Sequence, residues 1–116
     1  MYNYTIFKES KYKNRKCEYK GIVFDSKKER DYYINLEAMQ KIGRIRDLKM
    51  QVPFVLIETF RLGRKTFRQT KYIADFTYID KEGKYHVVDV KGYKTKEYQL
   101  KKKLMAWKYG ILIEEV

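Results

Sequence analysis

Asp75, Asp89 and Lys91 are the residues of this chain whose types and spacing could do chemistry together. The last two close the run Tyr85-His86-Val87-Val88-Asp89-Val90-Lys91-Gly92, whose β-branched, apolar character predicts a buried strand. Side chains alternate along a strand, so Tyr85, Val87, Asp89 and Lys91 share one face and His86, Val88 and Val90 the other. A desolvated carboxylate is costly unless something positive lies against it. The candidates are Lys91, a metal ion, or both. A second strand, residues 71–79, carries Asp75, and Asp80-Lys81-Glu82-Gly83-Lys84 is the turn between them. If the loop is Lys81-Glu82-Gly83, with Gly83 left-handed, Asp80 pairs with Lys84 and Asp75 falls opposite Asp89. Opposed β-carbons lie about 4.5–5.5 Å apart. Two ionised carboxylates so close repel each other, and a hard divalent cation such as Mg²⁺ between them removes the repulsion. A four-residue loop would slip the register by one and turn the acids to opposite faces.

Several elements must position these groups. Residues 1–20 read as a basic N-terminal arm (Lys8, Lys11, Lys13, Arg15, Lys16), either phosphate-binding or a solvated tail. Residues 21–116 read as one domain, with a short hairpin over residues 17–24 leading into a helix capped by Asp25 or Ser26, reaching Ile42 and stopping at Gly43. Ser26-x-x-Glu29 is a capping box, which gives Glu29 a structural task. Glu29 also shares a helix stripe with Tyr33, Leu36 and Gln40. Residues 45–48 are expected to cross under the helix, and Gln51 to open a strand running to Phe60. Gln51 is placed to position a substrate phosphate or to bond to backbone. Arg61, Arg64, Lys65 and Arg68 crowd a loop with a hairpin tip at Gly63, and Lys71 follows. This is a solvated charge run by default, though it feeds directly into the strand bearing Asp75. A second helix over residues 96–109 has Leu100, Leu104 and Trp107 as its expected buried seam. Lys101, Lys102, Lys103 and Lys108 spread over its outer arc, and its N-terminus and lysines, with Lys94 and Lys96 as further candidate nucleic-acid contacts beside Lys101 and Lys102, are expected near the proposed metal. Gly110 ends it, and residues 111–113 are expected to pair in parallel with the strand at 85–91. The fold class is therefore α/β (α+β by some schemes), a mixed sheet of four to five strands flanked by two main helices.

Composition narrows the function classes. The 116 residues form one domain, and 44% apolar and 16% aromatic content argues against disorder. Lys plus Arg outnumber Asp plus Glu by 27 to 15, for a net charge of +12, which favours a polyanionic partner and nucleic acid first. No apolar run approaches a membrane span, and Met1-Tyr2-Asn3-Tyr4-Thr5 lacks the pattern of a signal peptide. Cys17 is the lone cysteine, so no disulfide framework or cysteine zinc site exists. The expectation is a cytoplasmic protein without membrane or small-molecule cofactor.

Four segments in order carry a family resemblance. They are Phe24-Asp25-Ser26-Lys27-Lys28-Glu29, Gln51-Val52-Pro53-Phe54, Tyr72-Ile73-Ala74-Asp75-Phe76 and Asp89-Val90-Lys91-Gly92. The set resembles the PD-(D/E)XK nuclease superfamily, in particular small phage-type endonucleases related to Holliday-junction resolvases and transposase endonuclease subunits. Ala74 departs from the proline of the superfamily name, at a position that ligates nothing. The resemblance implies a restriction-endonuclease-like core, a phage-encoded protein acting in a host cytoplasm, and metal-dependent hydrolysis of DNA phosphodiester bonds with Mg²⁺ or Mn²⁺. It implies Asp75, Asp89 and the Val90 carbonyl as ligands, with Glu29 binding through water or helping with a second ion. Lys91 would orient the attacking water and stabilise charge on the phosphorane. No separate reading domain is visible, so shape in duplex or branched DNA is the expected substrate feature, and paired cleavage would need a homodimer. Plainer explanations stand beside these: a same-face Asp89–Lys91 ion pair, a solvent-facing Asp75, a basic module that grips DNA or RNA without cutting, or a phage interaction protein on a nuclease fold.

Overall fold

The computed structural model describes residues 15–90 and 94–116. The chain adopts an α+β architecture with two compact units, Met1–Ala38 and Met39–Val116, whose boundary falls inside the first helix. The expected arm at residues 1–20 is described only from Arg15 onward, and its end already belongs to a hairpin.

In the first unit, β1 (Cys17–Tyr19) and β2 (Ile22–Phe24) pair antiparallel with Tyr19 opposite Ile22. Lys20 and Gly21 turn the chain with φ of 53° and 81°, the doubly left-handed geometry that matches the twist of a two-residue hairpin. Helix α1 (Lys27–Lys41) starts where Ser26 Oγ accepts the Glu29 N–H at 3.0 Å, so Ser26 is the cap. The hairpin rests on this helix through Phe24 and Tyr33, with ring centroids 5.3 Å apart, and through the Tyr19 hydroxyl, which donates to Glu37 at 2.8 Å. Gly43, left-handed at φ 82°, ends the helix one residue earlier than expected.

The second unit is a four-stranded mixed sheet with one helix against it. Its strands are β3 (Ile45–Ile57), β6 (Thr70–Asp80), β7 (Tyr85–Asp89) and β8 (Glu114–Glu115), in that spatial order. The β3–β6 and β6–β7 pairs are antiparallel, and β7–β8 is parallel, as a strand–helix–strand connection requires. Residues 45–48 do not cross separately: they begin the long strand β3, which bends through a register shift between Arg46 and Lys49. Asp47 stands at φ 55° within that shift. Beyond the Ile57–Thr70 pair, the chain makes a small separate ribbon, β4 (Phe60–Leu62) and β5 (Lys65–Phe67), turning at Gly63. No helix among the described residues is long and apolar enough to cross a membrane.

Helix α2 (Lys96–Tyr109) is capped by Thr95 Oγ1 and closed by left-handed Gly110. Its buried face differs from the expected seam. Tyr98 and Met105 enter the core with Leu56, Tyr72, Ala74, Val87 and Ile113, while Leu100 and Trp107 are 56% and 78% exposed and Leu104 packs only at the margin. Polar anchors at both ends set this rotation. Tyr98 donates to Glu115 at 2.8 Å, and Lys108 and Tyr109 both bond the Val55 carbonyl, at 3.0 and 2.6 Å. Spacing alone fits either stripe, because residues 98, 102, 105 and 109 follow the same helical period as 100, 104 and 107. The last strand also moves: residues 111–113 are not paired, Ile113 turns into the core, and β8 begins at Glu114 opposite Val88.

His86 fastens three strands of this unit. Nε2 meets Asp80 Oδ2 at 2.8 Å, Nδ1 meets Glu114 Oε2, and the ring stacks on Tyr78 with centroids 4.6 Å apart. Burial pulls its pKa down, but the hydrogen bonds and charges of Asp80 and Glu114 outweigh burial, and the net shift is above the ordinary 6.5. A folded-state pKa above the unfolded one gives stability that is complete below pH 6.5 and disappears as pH rises through the folded value. Urea denaturation from pH 5 to 9 is therefore expected to show wild-type stability falling across the alkaline side of that window. In His86→Gln the fall should be flattened.

Candidate functional site

The turn at Asp80 decides which residues meet. Asp80 N–H donates to the Lys84 carbonyl at 2.9 Å, Gly83 is left-handed at φ 85°, and Asp80 Oδ1 accepts the Glu82 and Lys84 amides. This is the three-residue loop expected from the sequence. The register then runs from Ile79 opposite Tyr85 to Phe76 opposite Val88, and one step further it sets Asp75 opposite Asp89. On the other side of β6, Gln51 stands across from Asp75, between the pairs Met50–Phe76 and Val52–Ala74. On the other side of β7, Glu115 pairs with Asp89. A transverse row of Gln51, Asp75, Asp89 and Glu115 thus crosses all four strands.

Each member of the row is held in its own way. Asp75 Oδ2 accepts the Val90 N–H at 2.8 Å. Asp89 is 2% exposed, and its Oδ2 accepts the Tyr72 hydroxyl at 2.5 Å. Gln51 is the seventh residue of β3 rather than the opening of a strand, and its φ of 52° is left-handed. Such a conformation is uncommon for a residue with a side chain, and it is found at functional sites more often than elsewhere. Glu115 accepts from Tyr98 at 2.8 Å and pairs with Lys94 and Lys102, each at 3.0 Å. Lys94, Tyr98 and Lys102 together hold its carboxyl down to about 2.

Two phenols tie the row together. The rings of Tyr72 and Tyr98 lie 6.4 Å apart. Burial raises the pKa of Tyr72 most, followed by its hydrogen bond to Asp89 and the charges of Asp89 and Asp75. Burial likewise leads for Tyr98, followed by its bond to Glu115 and the charges of Asp89, Glu115 and Asp75. Both phenols therefore remain protonated donors at neutral pH.

The remaining expected residues distribute as follows. Lys91 lies outside the described residues. Of Val90, the described contact is its amide on Asp75. Glu29 sits in the first turn of α1, in the other unit, and is 6% exposed. Lys94 and Lys102 converge on Glu115, whereas Lys101 pairs with Glu97 at 3.0 Å and Lys96 is exposed. Arg61, Arg64, Lys65, Arg68 and Lys71 are all exposed, on or beside the β4–β5 ribbon. Tyr72, Tyr98 and Glu115 are the members that sequence reasoning missed. Tyr72 and Tyr98 look like ordinary sheet and helix aromatics, and Glu115 follows a strand predicted to end before it.

Among the described residues, no group of three or more His, Cys, Asp or Glu could hold a metal ion between them. Mg²⁺ is commonly held by one or two carboxylates with water and substrate phosphate completing its shell. The facing pair Asp75 and Asp89 supplies that number of carboxylates, so the residues present are compatible with Mg²⁺ or Mn²⁺.

The chain belongs to the family described as Protein of unknown function (DUF1064), whose model matches residues 9–114. No curated protein and no solved structure matches it.

The bond from Tyr72 to a buried carboxylate generates a stability prediction. Tyr72→Phe removes a donor from Asp89 with almost no change of shape and is expected to cost about 1–3 kcal/mol. Chemical denaturation of the two proteins at pH 7 measures it, and an unchanged midpoint would show that the phenol does not support Asp89.

Proposed function

We propose that the chain is a metal-dependent endonuclease of the PD-(D/E)XK type that hydrolyses phosphodiester bonds in DNA, selecting shape over base sequence. What supports the reading is the β6–β7 register set by the Asp80–Lys84 turn, which, carried one residue past Phe76–Val88, puts Asp75 opposite Asp89. The basic balance of the chain, 27 Lys and Arg against 15 Asp and Glu, supports a polyanionic substrate.

In this reading Asp75 and Asp89 would hold Mg²⁺ or Mn²⁺, and the family resemblance adds the Val90 carbonyl. When bound, the ion supplies polarisation of the scissile phosphate and acidification of a bound water. Tyr72 keeps the Asp89 carboxylate in one orientation through its hydroxyl bond. Lys91 orients the attacking water and stabilises the charge that develops on phosphorus-bound oxygen. Lys94 and Lys102, gathered by Glu115 next to Asp89 in the sheet, add positive charge beside the substrate backbone. Gln51, in the same row, is placed to orient a phosphate. One such site cuts one strand, so paired cuts across a duplex or junction call for a homodimer.

A second reading, a basic module that binds DNA without cutting, is favoured by the one observation that no three His, Cys, Asp or Glu among the described residues gather where they could hold an ion. Labelled branched, duplex and single-stranded DNAs incubated with Mg²⁺, Mn²⁺ or EDTA separate the two. Cleavage is expected only with metal, and Asp89→Ala and Lys91→Ala should each reduce it roughly a hundredfold or more. Metal-independent products, or products that persist undiminished in Asp89→Ala, would leave the binding module as the better account.

A further inference from the structure

Among the described residues, the β4–β5 ribbon has no partner strand in the four-stranded sheet. Its two strands pair only with each other, with Phe60 opposite Phe67, Arg61 opposite Thr66 and Leu62 opposite Lys65. Pairing puts Phe60, Leu62, Lys65 and Phe67 on one face and Arg61 with Thr66 on the other. Phe60 and Phe67 stack at 4.9 Å with planes 11° apart, which stiffens the base of the ribbon. The Gln69 amide bonds Thr59 Oγ1 at 3.0 Å and closes the base further. Nevertheless Phe60 is 48% and Leu62 72% exposed. Residues 60–71 contain Arg61, Arg64, Lys65, Arg68 and Lys71 and no acid.

A stiff ribbon with an exposed apolar face, and five cations on and beside it against the single neighbouring acid Glu58, selects its partner by chemistry. The charge requires a polyanion. The apolar face requires something beyond phosphate, such as base edges and thymine methyl groups. Two strands lie about 4.8 Å apart, and the major groove of duplex DNA, about 12 Å wide, admits a two-stranded ribbon with its side chains. We propose that the β4–β5 ribbon enters the major groove of double-stranded DNA, with Leu62 against the base edges and Arg61, Arg64 and Lys65 on the flanking phosphates.

The ribbon joins the end of β3 to the start of β6, so the same strand leads from the groove contact to the acidic row. Asp75 lies five residues beyond Thr70 on β6, about 17 Å along the strand. The inference shares with the proposed function the premise of a DNA partner, but it concerns binding alone.

Fluorescence anisotropy of the full chain tests it, using a labelled 24-base-pair duplex and the corresponding single strand, in EDTA across a salt series. Arg61→Ala/Arg64→Ala/Lys65→Ala is expected to bind the duplex at least tenfold more weakly, with its log–log salt slope reduced by about 2 to 3. Leu62→Ala should bind threefold or more weakly with the slope unchanged. Methyl green, a major-groove ligand, should displace the protein, whereas netropsin, a minor-groove ligand, should not. Absence of duplex binding, tighter binding to the single strand, wild-type affinity in either variant, or displacement by netropsin alone would each overturn the proposal. Circular dichroism of the variants confirms folding, which these exposed positions should leave intact. Because no metal is present, a protein that uses the ribbon but cuts nothing, and one that cuts without the ribbon, give different results.

Discussion

Strand side chains repeat with a period of two, and the three-residue loop Lys81-Glu82-Gly83 converts that constraint into a site. The loop closes through Asp80 and Lys84, with Gly83 taking the left-handed conformation that side chains resist. One more residue there would rotate the facing of every later β7 side chain. Asp75 and Asp89 would then lie on opposite sides of the sheet. Asp80 reinforces the loop twice over, accepting two amides through Oδ1 and meeting His86 through Oδ2. The element that sets the register is thus braced by β7 at His86, and through His86 by Glu114 of β8.

Placing acids side by side in a sheet is unfavourable unless their charge is answered, and the surroundings of the row answer it by several means. The Val90 amide donates to Asp75, the Tyr72 phenol donates to buried Asp89, and Glu115 draws in two lysines. Desolvation works against both phenols ionising, so their protons stay in place as donors. The buried face of α2 follows from the same electrostatics. Tyr98 must reach Glu115 and Tyr109 the Val55 carbonyl, and a helix anchored at both ends cannot also bury Leu100 and Trp107.

Strand β6 connects two unlike features. Its first residue pairs with Ile57 at the root of the cationic ribbon, and its middle residue is Asp75. A rigid strand is a more accurate spacer than a loop, since its rise per residue varies little. The strained backbone at Gln51 lies across from this middle residue on β3, where the neighbouring β6 pairing holds it.

Local chemistry made much of this readable from the sequence. Ser26 and Gly43 bound α1 to within a residue, Gly110 ends α2, and Gly83 marks the turn from which the opposition of Asp75 and Asp89 follows by counting. The tip of the basic ribbon is marked by Gly63 in the same way. What the sequence could not settle depends on partners distant along the chain. Periodicity permitted two stripes on α2, and only the contacts with Val55 and Glu115 chose between them. The place where β8 joins β7, and hence the presence of Glu115 in the row, depended on Ile113 entering the core. Tyr72 became a partner of Asp89 only when the sheet brought together residues 17 positions apart. Caps and turns are decided within a few residues and are therefore written locally. The choice of face and of cross-strand neighbour is decided by which burial and which hydrogen bonds the whole assembled unit can satisfy at once.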